Sequence, residues 1–285
     1  MIRIARWARR AAIASVAVAT VMLQPHMAFA QQDAFASLLA AEAAFAADAM
    51  REGITPAFRA HAAQDSVLLT PEPVPATEYL AKQQDTPGLT LEWRPRLAGV
   101  ARSGDLGFTS GPYRMALGSR VTTGEFLTIW SRGADGRWRW FLDHGLPPQA
   151  SADRSLPSVT SVQRFAFGDL PPQEGAGVDE LEDVERALNR AYLDRGLSGL
   201  LPTLAADGYL LRPGRGPLGK SEASVLASDA QRFTGVDRLG TRISADGALA
   251  VSYGRLLPES GAPANYVRIW RRDRGGWELL IDELT

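Results

Sequence analysis

The chain has 285 residues, 45% of them hydrophobic and 22% charged, with a formal net charge of -1 and no cysteine. Its first thirty residues carry four arginines and no acid, which leaves 27 basic against 32 acidic side chains in the remainder; a nucleic-acid binder, which needs a basic excess or a basic face, is disfavoured. The lack of cysteine excludes disulfides, thiolate metal sites and cysteine nucleophiles, and the length suffices for one large domain or two small ones.

The N-terminus reads as an address. Arg9 and Arg10 precede an apolar run from Ala11 to Leu23, then Pro25 and Ala28-Phe29-Ala30 lead to Gln31. A basic segment, a short apolar segment and an A-x-A site in that order predict a cleaved secretory signal over residues 1–30, cut near Ala30–Gln31, and a periplasmic or secreted protein. The apolar run is 13 residues long, short of the roughly 20 that cross a bilayer. The arginine pair leaves both the general secretory and the twin-arginine routes open. No later segment has transmembrane length, so no membrane span is expected in the mature form.

The mature chain repeats itself. Phe126-Leu-Thr-Ile-Trp130 matches Tyr266-Val-Arg-Ile-Trp270, and Gly136, Trp138 and Asp143 match Gly276, Trp277 and Asp282. Upstream, Asp105 faces Asp246, the segment 65–71 faces 207–213, and Glu42 faces Glu185. The offset falls steadily from 143 to 139 along the chain, an ordered drift that chance matches would not keep. Two units are therefore expected, over residues 31–145 and 179–285, joined by a Pro-rich linker over 146–178. Their charges are even, 11 basic against 13 acidic in 33–145 and 14 against 16 in 179–285, which leaves the choice of any ligand to pocket shape rather than to a long-range field.

In chain order, the apolar stripe Phe35, Leu38, Leu39, Phe45, Ala46 and Ala49, with Glu42 inside it, predicts a long helix stopped by Gly53. Thr55-Pro56 starts a second helix, Val67–Leu69 is a short strand, and Thr77 caps a third helix. Strands follow at Leu91–Trp93, Phe108–Met115, Glu125–Ser131 and Trp138–Asp143, the last after the turn 133–136. In the linker, Phe165-Ala-Phe167 has the character of a short strand. The second unit repeats the order with a helix over Leu181–Tyr192 and strands at Tyr209–Leu211, Ala248–Tyr253, Asn265–Arg271 and Trp277–Ile281. Helices first and hairpins afterwards give an α+β class.

A leading helix with the Asp-x-x-Leu-Leu-x-Pro segment, then Ser103-Gly-Asp-Leu-Gly-Phe-Thr-Ser-Gly111, Gly124-Glu-Phe-Leu-Thr-Ile-Trp130 and Asp135-Gly-Arg-Trp138 running to Asp143, resembles the nuclear transport factor 2-like superfamily. Within it, the SnoaL-like proteins and the exported domains of unknown function are nearest. The resemblance covers the first unit and, more weakly, the second. It implies tandem cone-shaped domains, each a strongly bent antiparallel sheet wrapped around a long N-terminal helix, with a pocket between them. Many members hold small apolar or amphipathic molecules there, and some are isomerases, cyclases or hydrolases; one fold hosts many chemistries.

Asp143 is the first catalytic candidate, since SnoaL-type enzymes place an acid/base aspartate on a comparable strand and a desolvated carboxyl there has a raised pKa. Asp282 is its counterpart, and Tyr113 a candidate hydrogen-bond donor. The alternative for both aspartates is a strand-end hydrogen-bonding role. His144 falls on the opposite strand face from Asp143, which points to a surface or interdomain role, and His61 has no visible partner. Trp93, Phe126, Thr128, Trp130, Tyr266, Arg268 and Trp270 are candidate pocket residues; strand periodicity does not say whether 126, 128 and 130 or 127 and 129 face the pocket. Two distant histidines in the mature chain and no EF-hand spacing predict no metal site, and no cofactor motif is present: the segment 214–219 lacks the P-loop ending and reads as a turn. The arginines at 271, 272 and 274 read as a solvated hairpin.

Three functions stay open: a non-catalytic exported protein binding a small apolar or amphipathic molecule, an acid/base isomerase or hydrolase using Asp143, and a structural module whose units pair with each other or as a homodimer.

Overall fold

A computed structural model describes residues 24–70, 72–146, 155–156, 158–168, 177–226 and 232–285. The basic and apolar parts of the expected export signal, residues 1–23, lie outside the described residues. No described helix is long and apolar enough to cross a membrane.

The first helix, α1 (Gln24–Glu52), buries Ala34, Leu38, Glu42, Phe45 and Ala49, the three-to-four-residue spacing of a single helical face. It stops at Gly53, whose φ of +104° few other residues adopt and where a Cβ would run into the Asp85 carboxyl. That carboxyl accepts the Thr55 N–H at 2.7 Å. The start of α2 (Ile54–His61) is thus satisfied by a side chain thirty residues away rather than by Thr55 itself. There follow β1 (Ala62–Thr70), β2 (Glu72–Pro75), α3 (Ala76–Ala81), β3 (Leu89–Trp93), β4 (Leu97–Val100), β5 (Leu106–Leu117), β6 (Arg120–Arg132), β7 (Trp138–Gly145) and, in the linker, β8 (Gln163–Phe165). No side chain caps α3, so the Thr77 cap is not formed.

The first sheet has the order β2-β1-β7-β6-β5-β4-β8, with β3 also on β5. It is not wholly antiparallel as expected: β1 pairs parallel to β7, and β8 parallel to β4. Both parallel strands reach the sheet by long connections, the only way a chain can bring two strands side by side in the same direction. The second unit runs α4 (Val178–Arg195), α5 (Leu197–Leu200), β9 (Leu204–Leu211), β10 (Leu218–Gly219), α6 (Lys220–Val225), β11 (Phe233–Ile243), β12 (Leu249–Pro258), β13 (Ala264–Asp273) and β14 (Gly276–Leu284). Its sheet order is β10-β9-β14-β13-β12-β11, again with β9 parallel to β14. This is an α+β protein of two cones, each a helix laid in the hollow of a sheet.

A bulge at the same point in both sheets decides which residues face where. Ile129 pairs with Leu142 but Trp130 pairs with Trp140, skipping Phe141; Ile269 pairs with Ile281 but Trp270 with Leu279, skipping Leu280. Two consecutive apolar residues of the last strand therefore point to one face. That face is the outer one: Leu127, Ile129, Phe141 and Leu142 pack with Val251, Val267, Ile269, Leu280 and Ile281 in a single core shared by the two sheets. The linker residues Phe165 and Phe167 join it. Each α-helix has its own core on the other face, Phe126, Trp130 and Trp140 under α1, and Tyr266, Trp270 and Leu279 under α4.

The contact between units is reciprocal, as in a two-fold dimer. Asp105 accepts the Ala245 N–H at 3.0 Å, and its repeat partner Asp246 accepts the Ser103 N–H at 2.8 Å. His144 Nδ1 lies 3.0 Å from Oε1 of Glu283, the residue at the matching position of the second unit. The imidazole is thus interdomain, on the face opposite Asp143.

Because Ile269 is fully buried in the shared core, Ile269→Ala is expected to cost roughly 2–5 kcal/mol and to destabilise both units together. Urea unfolding followed by tryptophan fluorescence and by far-UV circular dichroism should show one coincident transition moved to lower urea.

Candidate functional site

Alternation along β6 sends Phe126, Thr128 and Trp130 inward toward α1, which settles the face that periodicity left open. In the first cone Glu42 projects from α1 into this interior, entirely buried. It accepts hydrogen bonds from the Trp93 indole and the Thr109 hydroxyl, and from Trp130 Nε1 at 3.1 Å. Trp130 also donates to Thr109 Oγ1 at 3.0 Å. Burial pushes the Glu42 carboxyl above its ordinary pKa, with the three donors and the more distant His61 pulling the other way.

Beyond this network lies a cavity of about 220 Å³ lined by Phe58, Leu91, Trp93, Tyr113, Met115 and Phe126, with Asp143, His144 and Gly145 at one wall. An adjoining hollow of about 490 Å³, between the sheet and α2 and α3, shares Phe58, Met115 and Asp143 with it. Asp143 stands directly across from Thr128 in the β6–β7 register, and one of its oxygens, Oδ2, accepts the Thr128 hydroxyl at 2.6 Å. Burial raises its pKa to about 7; the Thr128 bond opposes the shift, the Glu42 and Glu283 carboxylates add to it, and His144 lessens it. Burial disfavours the His144 imidazolium, but Glu283 and Asp143 outweigh it and hold the imidazole above its ordinary pKa.

Tyr113 is in the cavity wall, yet its hydroxyl donates to the Leu146 carbonyl at 2.7 Å, so it presents ring rather than proton. Gly124 makes room for that ring: a Cβ there would come within 2.6 Å of it. Trp93 and Phe126 line the cavity, Thr128 orients Asp143, and Trp130 lies deeper, bonded to Glu42. His61, for which the sequence offered no partner, sits 2.8 Å from Asp48 across from α1.

The second cone keeps the framework and changes the filling. Glu185 replaces Glu42, Ser252 replaces Thr109 and donates to Glu185 at 2.7 Å, and Trp270 donates to Ser252 at 3.0 Å. At the position of Thr128, however, stands Arg268, fully buried. Its Nε donates to Asp282 at 2.9 Å and its Nη1 to Asn189 at 2.6 Å, it lies 3.5 Å from Glu185, and its guanidinium stacks 4.4 Å from the centre of the Tyr266 ring. Asp282 also takes Arg212 at 2.6 Å. Asp282 is therefore held in an ion-pair cluster, and Tyr266, Arg268 and Trp270 fill the interior they were expected to line. Trp93 and Tyr113 have the smaller Val236 and Leu256 at the matching pair in the strand register.

Glu42 and Glu185 went unnoticed as functional residues because each was read as part of an amphipathic helix. The available signal was a carboxylate inside the apolar stripe at the same place in both units. Two of the three arginines of the last hairpin are engaged: Arg271 pairs with Asp207 at 2.8 Å and with Glu278, and Arg272 with Glu180 at 2.7 Å. Among the described residues no group of histidine and acidic side chains is placed to hold a metal.

An acid whose pKa is raised by folding binds its proton more tightly in the native state, so the native state loses stability as pH rises from the ordinary carboxyl value toward about 7. Asp143→Asn should flatten the fall in urea midpoint between pH 4.5 and 7. Arg268→Met, by leaving Asp282 and Glu185 without their shared cation, is expected to cost roughly 3–5 kcal/mol in the same measurement at pH 7.

No protein-family model and no curated protein matches the chain. Among solved structures it is similar to a nuclear transport factor 2-like protein from Cytophaga hutchinsonii, at 18% identity over 38% of this chain and 96% of that one, TM-score 0.32. A nuclear transport factor 2-like protein of unknown function from Pseudomonas putida matches at 17% identity over 40% and 89%, TM-score 0.33. A domain of unknown function with a cystatin-like fold from Nostoc punctiforme matches at 13% identity over 39% and 77%, TM-score 0.33. By helix and strand order the two halves of this chain share one cone-shaped α+β fold.

Proposed function

We propose that this is an exported protein whose first cone binds one small apolar or amphipathic molecule. The observation that carries the reading is the cavity of about 220 Å³ walled by Phe58, Leu91, Trp93, Tyr113, Met115 and Phe126. An apolar cavity of about 150 Å³ takes benzene, so this one suits a body of roughly ten non-hydrogen atoms, with the adjoining hollow as its approach. The second cone, filled by its own arginine, serves the pairing of the units.

A second reading is supported by Asp143. A carboxyl with a pKa of about 7 facing an apolar cavity is suited to give or take a proton near neutrality, where general acid–base catalysis is most effective. Binding comes first in either case, because a proton can only be moved on a molecule the cavity holds.

A ligand that binds only the native state stabilises it by about 2.7 kcal/mol at a hundred times its Kd. Indole and 2-phenylethanol are expected to raise the melting temperature of the mature protein in a dose-dependent way, and Leu91→Trp, which fills the cavity, to remove the effect. Unchanged melting with both compounds would count against the binding reading; a D143N variant that turns over a bound substrate at the wild-type rate would remove the catalytic one.

A further inference from the structure

The two cones share one framework, and the second shows with its own side chain what its interior is shaped to hold. There a guanidinium lies over the aromatic ring of Tyr266, donates to the carboxylate of Asp282 and sits beside Glu185. The corresponding residues of the first cone are Phe126, Asp143 and Glu42. The register confirms the match, since Arg268 pairs across the strands with Ser252 and Asp282 where Thr128 pairs with Thr109 and Asp143. With threonine in place of arginine, the first cone keeps the ring and both carboxyl groups and leaves out the cation.

The surroundings of the first cone's cavity agree. No lysine or arginine is among the residues lining either hollow, whereas Asp143 lines both and Asp85 lines the outer one. Three of the polar neighbours are engaged: the Tyr113 hydroxyl by Leu146, the Trp93 indole by Glu42, and His144 Nδ1 by Glu283. Asp143 Oδ2 accepts from Thr128, so Oδ1 is the oxygen left for a ligand. Aromatic faces attract cations through the ring quadrupole, by about 2 kcal/mol or more when water is excluded, and a carboxylate beside them completes a receptor for an ammonium or guanidinium group.

Resting on the binding reading above, we infer that the first cone receives an organic cation, an amine or guanidinium on a short apolar or aromatic body. Its charged end takes the place of the Arg268 head group, over Phe126 and Trp93 and on Asp143. Binding draws the Asp143 proton off, because a cation at hydrogen-bond distance stabilises the carboxylate form.

The test compares two probes of equal size and shape, phenethylamine and 2-phenylethanol, by isothermal titration calorimetry with the mature protein. Phenethylamine is expected to bind at least tenfold more tightly than the alcohol at pH 8. Its affinity should rise between pH 6 and 8 while that of the alcohol does not, with proton release detected at pH 6.5 in buffers of different ionisation enthalpy. Asp143→Asn should abolish the amine preference, the amine then binding no more tightly than the alcohol does. Thr128→Arg, which supplies the cation from the chain, should exclude the amine, its folding being checked by circular dichroism; D143N decides the matter if T128R does not fold. Equal binding of the two probes, or an amine preference that survives D143N, overturns the cation assignment and leaves the apolar-binding reading standing. Failure of both probes to bind overturns both.

Discussion

A carboxylate taken out of water must be protonated, hydrogen-bonded or paired, or it costs the fold several kcal/mol. Each cone of this chain meets that constraint twice, once on its helix and once on its last strand. In the first cone three side-chain donors converge on Glu42, and Asp143, with one donor, holds its proton to about pH 7. In the second cone the two acids share Arg268. The two solutions differ beside the sixth strand and its repeat, where Trp93 and Tyr113 give way to Val236 and Leu256, and in the middle of those strands. A short hydroxyl there leaves a chamber; a long guanidinium fills it.

The rest of the architecture fixes these groups in place. The indoles of Trp93 and Trp130 are bonded to the helix carboxylate, so the wall they form is braced against α1 rather than free to collapse into the cavity. Tyr113 is tied to the backbone of Leu146 and seated against Gly124. Beneath the sheet, the bulge opposite Ile129 lets Phe141 and Leu142 both enter the shared apolar core while Asp143 turns the other way. The apolar packing on one face thus sets the direction of the Asp143 carboxyl on the other.

Much of this was legible in the residues. The repeat exposed the two units, the amphipathic stripes gave both long helices, and the aligned pairs Thr128/Arg268 and Asp143/Asp282 were in view, although the meaning of the first pair was not. Periodicity could not choose the inner face of β6, because both faces are buried: one packs on a helix and the other on the second sheet. β4, Leu97-Ala-Gly-Val100, lacks alternation for the same reason, since all four of its residues are buried. β11 is a polar edge strand, and its sequence resembles a loop. The reciprocal bonds of Asp105 and Asp246, and that of His144 with Glu283, join residues about 140 positions apart, a distance that no local pattern reports.

The joining of the two halves in one polypeptide has a consequence for mass action. Two separate chains meeting through such a face would be held together only above their dissociation constant, and dilution would part them. Here the partner is always present at the effective concentration set by the tether, and β8, lying within that tether, is itself a strand of the first sheet. Dilution therefore leaves the pair intact. Since the halves are encoded separately, a substitution such as Thr to Arg alters one of them alone, which no symmetric homodimer allows.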